Sequence, residues 1–309
     1  MSTYWQQFRG RQKAIEKRFL PEVYREVRAH NKSFLAAAKA HGFSYARNNI
    51  DKIVKPDGIA TVLKRLYHRA AYVEANYQLS SLMKRHGRKS EVKRNSPLGS
   101  FGVGFDQLAS VIDNYFKIRM LNKSAIPITE TSKRYIRDKL IEAVDAGVPY
   151  EDAVTNFREL ALVGDINQKP MSKNRARMII QTESARAMSF GGLIGAYMSG
   201  VDLDKVWITC DDEKVRGASR PAKYPHTRLD RQVTTLFGSF QNGESIKMPG
   251  DPDASIANTA FCRCTIFYKQ KDSPKPRDRG RKLANFLTEF MVGLLQGALL
   301  GELITQDEE

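Results

Sequence analysis

All three cysteines of the chain, Cys210, Cys262 and Cys264, lie in its last hundred residues, together with a single histidine, His226. Thiolate sulfur and imidazole nitrogen are ligands that zinc prefers, so these four side chains could form a tetrahedral zinc site. Structural zinc sites, however, mostly take their cysteines from Cys-x-x-Cys turns, and this chain has Cys-x-Cys instead. The spacing therefore favours a segment without metal, and we expect no cofactor.

The alternation of side chains along a strand gives the Cys-x-Cys triplet a different role. If residues 260–268 form a strand, Cys262 and Cys264 point to one face and pack like small apolar side chains. Arg263 then faces the other way, where it could pair with an acid such as Asp211 or Asp230. This interpretation makes the triplet part of a core.

Three consecutive acids, Asp211, Asp212 and Glu213, precede His226 in the same segment. Carboxylates beside a histidine can hold a divalent cation that hydrolyses phosphodiester bonds, so a metal-dependent nuclease is the alternative hypothesis. The acids fall in a turn between two expected strands, where carboxylates are commonly solvated or support the backbone. The sequence pairs no nucleophile with a base. We therefore favour a protein that is not an enzyme.

These residues depend on a small sheet for their positions. Alternating apolar side chains predict strands near residues 205–209, 231–237 and 260–268. Earlier in the chain, apolar residues recur at helical spacing. We expect an α+β protein whose mainly helical N-terminal two thirds precede a small β-sheet module and a C-terminal helix. Four consecutive segments follow from this pattern: a basic helical region (1–100), a helical module (101–204), a β-rich module (205–270), and a basic linker with an apolar helix (271–309).

Proline and N-capping residues predict where the helices begin. Pro21 is expected to begin a second helix after one over residues 4–19. A third helix is expected over about residues 59–82, followed by a basic linker over residues 83–104. Ser172 is expected to be the N-cap of a later helix, whose glycines predict close backbone packing.

The positive charge is concentrated near the N-terminus. Residues 1–100 contain 21 lysines and arginines against 7 aspartates and glutamates, and so carry +14 of the net charge of +16. Such a surface attracts polyanions, either double-stranded DNA or an acidic partner protein. The candidate DNA-binding residues lie on the third helix and in the basic linker: Lys64, Arg65, Arg69, Lys84, Arg85, Arg88, Lys89, Lys93 and Arg94.

The N-terminal residues lack the apolar segment of a signal peptide, and no run of about 18 uncharged apolar residues occurs. We therefore expect a soluble, cytoplasmic chain with reduced cysteines and no membrane partner. Near the C-terminus, Gly293, Gly297 and Gly301 recur at four-residue spacing in an apolar helix. This spacing predicts close packing against another helix, in this chain or in a partner.

A set of short motifs follows in a fixed order between Ser172 and Cys264. The set comprises Ser172-Lys173-Asn174-Arg175-Ala176-Arg177 running to Gln181-Thr182-Glu183, Gly200-Val201 with Lys205-Val206-Trp207, Asp211 to Arg216, His226-Thr227-Arg228-Leu229-Asp230, Pro249-Gly250-Asp251-Pro252, and Asn258 before Cys262-Arg263-Cys264. This order resembles the bacteriophage head morphogenesis family, the Mu F-like minor capsid proteins, over roughly residues 125–268.

The chain departs from the family pattern at two points. Arg231 replaces a glycine in Leu229-Asp230-Arg231-Gln232, and residues 217–225 separate Arg216 from His226. The second departure predicts an extended loop and no close contact between Arg216 and His226.

The resemblance implies a minor head component in the capsid interior of the virion, assembled in the host cytoplasm. Its implied partners are the phage portal protein, double-stranded DNA, and a scaffold or major capsid protein. The apolar C-terminal helix would then dock onto another capsid component. The motif positions are carried over as a structural signature: Arg177, Thr182, Glu183, Trp207, Asp211, Arg216, His226, Asp230, Cys262, Arg263 and Cys264.

Overall fold

A computed structural model describes residues 3–85, 105–163 and 171–272, and the protein is α+β, as the sequence predicts. The helices are α1 (Thr3–His41), α2 (Phe43–Asn48), α3 (Ile50–Ile53), α4 (Asp57–Arg85), α5 (Phe105–Tyr115), α6 (Ile126–Ile136), α7 (Glu142–Asp145), α8 (Tyr150–Arg158), α9 (Met171–Met198) and α10 (Ile256–Thr259). Wider π-helical turns follow α5, α6 and α8 over Phe116–Ala125, Arg137–Ile141 and Glu159–Val163. The strands are β1 (Leu203–Ile208), β2 (Val233–Thr235), β3 (Phe240–Gln241), β4 (Ser245–Ile246) and β5 (Thr265–Gln270).

Two helix boundaries differ from the expected ones. Pro21 lies inside α1 and does not begin a new helix, because apolar side chains on both sides of it, such as Phe19 and Val23, are buried along one continuous face. Packing of that face offsets the backbone hydrogen bond that a proline removes. Helix α4 continues to Arg85, through residues expected in the linker, because Met83 is still buried. Residues 86–104 and 273–309, with the rest of the expected linker and the expected C-terminal helix, lie outside the described residues.

The chain forms two compact units that are not consecutive in sequence. We call them the sheet unit (residues 1–10, 68–114 and 185–309) and the helical unit (Arg11–Tyr67 and Tyr115–Ser184). Helices α1, α4 and α9 each contribute residues to both units. The four consecutive segments expected from the sequence are a different kind of division, and they stay a prediction.

The helical unit contains a core of apolar side chains and a group of buried polar ones. The apolar cluster includes Phe34, Leu35, Ala38, Ala46, Ile50, Val54, Ile136, Leu140, Ile141, Ala153, Val154, Phe157 and Ala161. In the polar group, His30 Nδ1 lies 2.8 Å from Ser132 Oγ, which also accepts a hydrogen bond from Arg175 Nη1 at 2.8 Å. Burial and then the charge of Arg175 lower the pKa of His30 to about 4.

In the sheet unit, glycines on α9 let its backbone contact that of α4 directly, as the sequence predicts. A Cβ atom on Gly191 would lie 2.2 Å from the carbonyl oxygen of Ala71, and one on Gly195 would lie 2.3 Å from that of Ala75. Residues 185–199 of this helix are all buried. The helix begins at Met171, so Ser172 is not its N-cap but donates from Oγ to the Ala161 carbonyl at 2.5 Å within the helical unit.

The three-stranded sheet has the order β2-β1-β5, and both pairings are antiparallel. Strand β1 is central, and its register pairs Trp207 with Ile266 and Ile208 with Thr265. Strands β3 and β4 form a separate two-stranded sheet. The residues that follow β1 and precede β5 are therefore brought to the same end of the three-stranded sheet. Within the described residues, no helix combines the length and the apolar character that crossing a membrane requires.

Candidate functional site

A buried group of one histidine and two cysteines lies at the end of the three-stranded sheet, and we call it the HCC cluster (His226, Cys262 and Cys264). His226 Nδ1 lies 3.4 Å from Cys264 Sγ and 3.7 Å from Cys262 Sγ. The three ligand atoms all lie within 4.8 Å of one another, and each side chain is 3% exposed. Of the four soft ligands considered from the sequence, three converge. Cys210 Sγ instead lies 3.3 Å from Asp212 Oδ1.

The backbone of Arg216 positions His226. The amide of His226 donates to the Arg216 carbonyl at 2.8 Å, and the amide of Thr227 donates to the same oxygen at 3.3 Å. The Arg216 guanidinium then lies beside the imidazole, with Nη1 3.0 Å from His226 Nε2. The expectation that residues 217–225 would keep the two side chains apart was wrong, because the intervening loop closes on itself at this pair of hydrogen bonds.

Asn258, at the third position of α10, fixes the orientation of the imidazole. Both its carbonyl oxygen and its Oδ1 lie 2.9 Å from His226 Nε2, so this nitrogen carries a proton and donates. The Asn258 amide group in turn bonds Asn242 and donates to Glu244 Oε2 at 2.9 Å. Nδ1 is consequently the nitrogen that faces the two sulfurs. Arg216 donates to the carbonyl oxygens of Asn258 and Ala260, which holds the loop around α10 in place.

The Leu229-Asp230-Arg231-Gln232 segment ties the histidine turn to the end of β1. Leu229 is fully buried. Asp230 Oδ1 accepts from the amide and the hydroxyl of Thr209, both at 2.9 Å. Arg231 adopts a left-handed backbone with φ of 63°, and its amide reaches the Trp207 carbonyl at 2.9 Å. Glycine adopts this conformation most readily, which gives a physical reason for the glycine of the family pattern.

The Cys-Arg-Cys triplet precedes β5 and does not form part of it, contrary to the expected strand over residues 260–268. The chain leaves α10 and turns at Phe261, whose φ is 56°, before it enters the sheet at Thr265. Both cysteines are nevertheless buried, as expected. Arg263 forms two hydrogen bonds with Asp212, at 2.6 and 2.7 Å.

The partner of Arg263 is therefore Asp212, and not Asp211 or Asp230 as expected. Asp211 is exposed with φ of 52° and directs the chain into the turn, whereas Asp230 is occupied by Thr209. Because Arg263 donates two hydrogen bonds to it, Asp212 has a pKa lowered to about 2.

Charge and burial act differently on the thiols. Cys264 and His226 stabilise the thiolate of Cys262 and hold its pKa well below the usual range. Burial raises the pKa of Cys264 well above that range, and it raises the pKa of Cys210 to about 11. Burial alone would lower the pKa of His226, but the charge of Cys262 raises it above its ordinary value.

The acids of the nuclease hypothesis do not gather around His226. Asp212 is occupied by Arg263, while Asp211 and Glu213 are exposed. Among the described residues, the HCC cluster is the one group of His, Cys, Asp or Glu side chains with the proximity to hold a metal ion, and it contains no carboxylate. Its soft ligands suit zinc better than the hard Mg²⁺ or Ca²⁺ ions.

The motif residues on α9 contact residues of the unit to which each of them belongs. In the sheet unit, Arg186 Nε donates to the Gly250 carbonyl at 2.5 Å, and Gly250, with φ of 76°, leaves no room for a Cβ atom. In the helical unit, Glu183 accepts hydrogen bonds from Tyr67 and Ser124 at 2.8 and 3.0 Å. Arg177 is exposed and Thr182 is buried.

The candidate DNA-binding residues on α4 are exposed, namely Lys64, Arg65, Arg69, Lys84 and Arg85. Arg65 pairs with Glu22, and the Arg85 guanidinium lies 5.0 Å from the ring centre of Phe267. Every lysine and arginine of residues 3–85 is at least partly exposed. Arg88, Lys89, Lys93 and Arg94 lie outside the described residues.

Sequence reasoning missed the supporting residues of the site. Asn258 was noted only as part of the motif order, and Asn242 and Glu244 gave no signal, because lone polar residues in a loop usually indicate solvent exposure.

Comparison with protein-family models, with curated proteins and with solved structures found no match to this chain.

Proposed function

We propose that this chain is a minor head protein of a bacteriophage, that it acts in head morphogenesis, and that it associates with the portal and the packaged DNA. The proposal rests on the ordered motif set and is not an enzymatic one. Its polyanion-binding part is the basic N-terminal third, and most of its motif residues lie in the sheet unit.

One observation supports the proposal most strongly. Residues of the motif that are far apart in sequence, among them Trp207, Arg216, Asn258 and Cys264, lie around the buried His226. Trp207 lies edge-on to the His226 ring, with ring centres 5.8 Å apart. Motifs that had matched by chance would have no reason to converge in this way. The convergence therefore supports treating the ordered set as a true signature.

The exposed charge supports the DNA-binding half of the proposal. The lysines and arginines of residues 3–85 project from the helices, where they can neutralise phosphates. The carboxylates that a nuclease would need are paired or dispersed. This weighs against the nuclease alternative.

The proposal is tested first on purified phage particles. Phage particles produced by a host that carries this gene are purified by density gradient and analysed by quantitative mass spectrometry. We expect the chain to co-purify with the portal protein at a constant ratio, and we expect deletion of the gene to reduce the yield of DNA-filled heads. Particles that lack the chain, and that assemble and fill normally without it, would refute the proposal.

DNA binding is tested by a fluorescence titration of the full chain with duplex DNA over a series of salt concentrations. Each phosphate contact contributes about 0.9 to the slope of log affinity against log salt concentration. The double variant Lys64→Gln, Arg69→Gln should reduce that slope by roughly the contribution of two contacts. The matched control Lys139→Gln, Arg158→Gln removes two exposed charges outside the basic third and should leave it unchanged. Equal slopes in all three proteins would refute the assignment of the DNA-binding surface to α4.

A further inference from the structure

The geometry of the HCC cluster matches the coordination sphere of zinc. Tetrahedral zinc binds nitrogen at about 2.0–2.1 Å and sulfur at about 2.3 Å, which places a nitrogen and a sulfur about 3.6 Å apart. The two distances from His226 Nδ1 to the sulfurs are 3.4 and 3.7 Å. Both nitrogen–sulfur distances are therefore close to those across a shared zinc ion, and the two sulfurs lie within 4.8 Å of each other.

The groups around the cluster orient its side chains for a metal. A zinc-bound histidine usually donates its second ring N–H to an oxygen, which fixes the tautomer and aims the other nitrogen. His226 Nε2 donates to Asn258, so its Nδ1 lone pair is directed at the sulfurs. The indole N–H of Trp207 is buried and has no hydrogen-bond acceptor among the described nitrogen and oxygen atoms.

A cavity of about 100 Å³ lies beside the cluster and is lined by Cys210, Lys214, Val215, Arg216, Phe261 and Arg263 together with the three ligands. The cavity gives a cation an open fourth position that water can fill, because Cys210 is directed to Asp212 instead.

From these contacts we propose that His226, Cys262 and Cys264 bind one Zn²⁺ ion, with water from the adjacent cavity as the fourth ligand. The ion fastens two segments that are distant in sequence: the turn at His226, and the loop between α10 and β5 that carries both cysteines. The zinc site does not depend on the proposed function, since the ligands are defined by distance and chemistry alone.

The full-length chain, purified from cells grown with added zinc, is analysed for metal by mass spectrometry and for protein by amino-acid analysis. We expect about one zinc per chain, as for other sites with this ligand set. Cobalt added to the metal-depleted chain should give the strong absorption of thiolate-bound tetrahedral cobalt. Both measurements use the unaltered protein, so they do not depend on the folding of a variant. A chain that contains no zinc and binds neither zinc nor cobalt would overturn the proposal.

Three variants then identify the ligands. Cys262→Ser and Cys264→Ser should each abolish the cobalt absorption and the stoichiometric zinc. Cys210→Ser, a change of equal size in the same cavity, should retain both. Asn258→Ala should weaken zinc affinity by up to roughly 10-fold, because it removes Oδ1, one of the two oxygens that orient His226, and keeps the backbone carbonyl. Loss of metal in Cys210→Ser, or full retention in either of the other two cysteine variants, would refute the three-ligand site.

Discussion

Replacement of Arg231 by glycine should make the sheet unit more stable, although it removes a complete side chain. Arg231 has φ of 63°, and a left-handed backbone costs a non-glycine residue about 1–2 kcal/mol. Glycine relieves this cost but increases the conformational freedom of the unfolded chain, which costs about 0.4–1 kcal/mol. The contact of Arg231 Nε with Asp230, 3.6 Å apart and exposed, contributes close to nothing. We expect a net gain in unfolding free energy of about 0.5–1 kcal/mol.

Urea denaturation followed by tryptophan fluorescence measures this change in the relevant part of the molecule. The two tryptophans of the chain, Trp5 and Trp207, both belong to the sheet unit, and the Trp5 indole donates to the Arg263 carbonyl at 2.7 Å. The fluorescence transition therefore reports on the unit that contains the substitution.

Two controls separate backbone strain from the loss of the guanidinium. Arg231→Ala removes the charge but retains the Cβ atom, so its stability should stay within about 0.5 kcal/mol of the original protein. Arg228→Gly changes an exposed arginine in the adjacent 3₁₀ turn and should destabilise by about 0.5–1 kcal/mol. If Arg231→Gly were less stable than the original protein, or Arg231→Ala equally stabilised, the explanation by a left-handed backbone would be wrong.

Three further predictions concern packing, acid sensitivity and the charged pair. Gly191→Ala should destabilise the sheet unit by about 3 kcal/mol in urea denaturation, because its Cβ atom would overlap main-chain atoms, whereas Gly10→Ala, which meets no atom within 4 Å, should stabilise it by up to about 1 kcal/mol. His30, whose pKa falls from 6.5 to about 4 through burial and Arg175, should contribute stability that is complete above pH 6.5 and is lost towards pH 4, on the order of 3 kcal/mol in urea titrations; non-titrating His30→Asn should abolish this dependence. Asp212→Asn should cost about 1–3 kcal/mol by weakening its paired hydrogen bonds, and an unchanged midpoint of unfolding would show that the pair is not formed.

The order of helices and strands could be predicted because each part of the sequence has one dominant apolar period. Local signals gave the wrong helix boundary at Pro21. A proline often marks the start of a helix, but here α1 continues through it because the apolar residues on both sides are buried by tertiary packing. Local signals also failed at residues 260–264, where β-forming side chains gave a strand pattern. A left-handed residue, Phe261, interrupts that pattern, and its type gives no indication of this conformation.

The geometry of the candidate site could be predicted in part. The four possible zinc ligands were recognised from their residue types, but the Cys-x-Cys spacing led to the prediction that they bind no metal. The spacing rule for zinc describes cysteines on one local turn, whereas His226 reaches the sulfurs from a different segment. The length of the loop over residues 217–225 also gave a wrong prediction, namely that Arg216 and His226 are not in contact. Gly217, with φ of 89°, lies directly against Pro225, so the two ends of the loop meet whatever its length. Closing a longer loop costs little additional free energy, so an insertion need not disturb the pair at its base.

The direction of the polar side chains around His226 favours a structural function for the motif over a catalytic one. A catalytic histidine must present one ring nitrogen to a substrate, but Nε2 of His226 is occupied by Asn258 and Nδ1 faces two sulfurs in the interior. The nearby charged groups are also used internally: Arg216 binds carbonyl oxygens of the loop around α10, and Arg263 binds Asp212. These contacts fix the path of three loops at the end of one small sheet. The proposed role in an assembly requires rigidity of this kind.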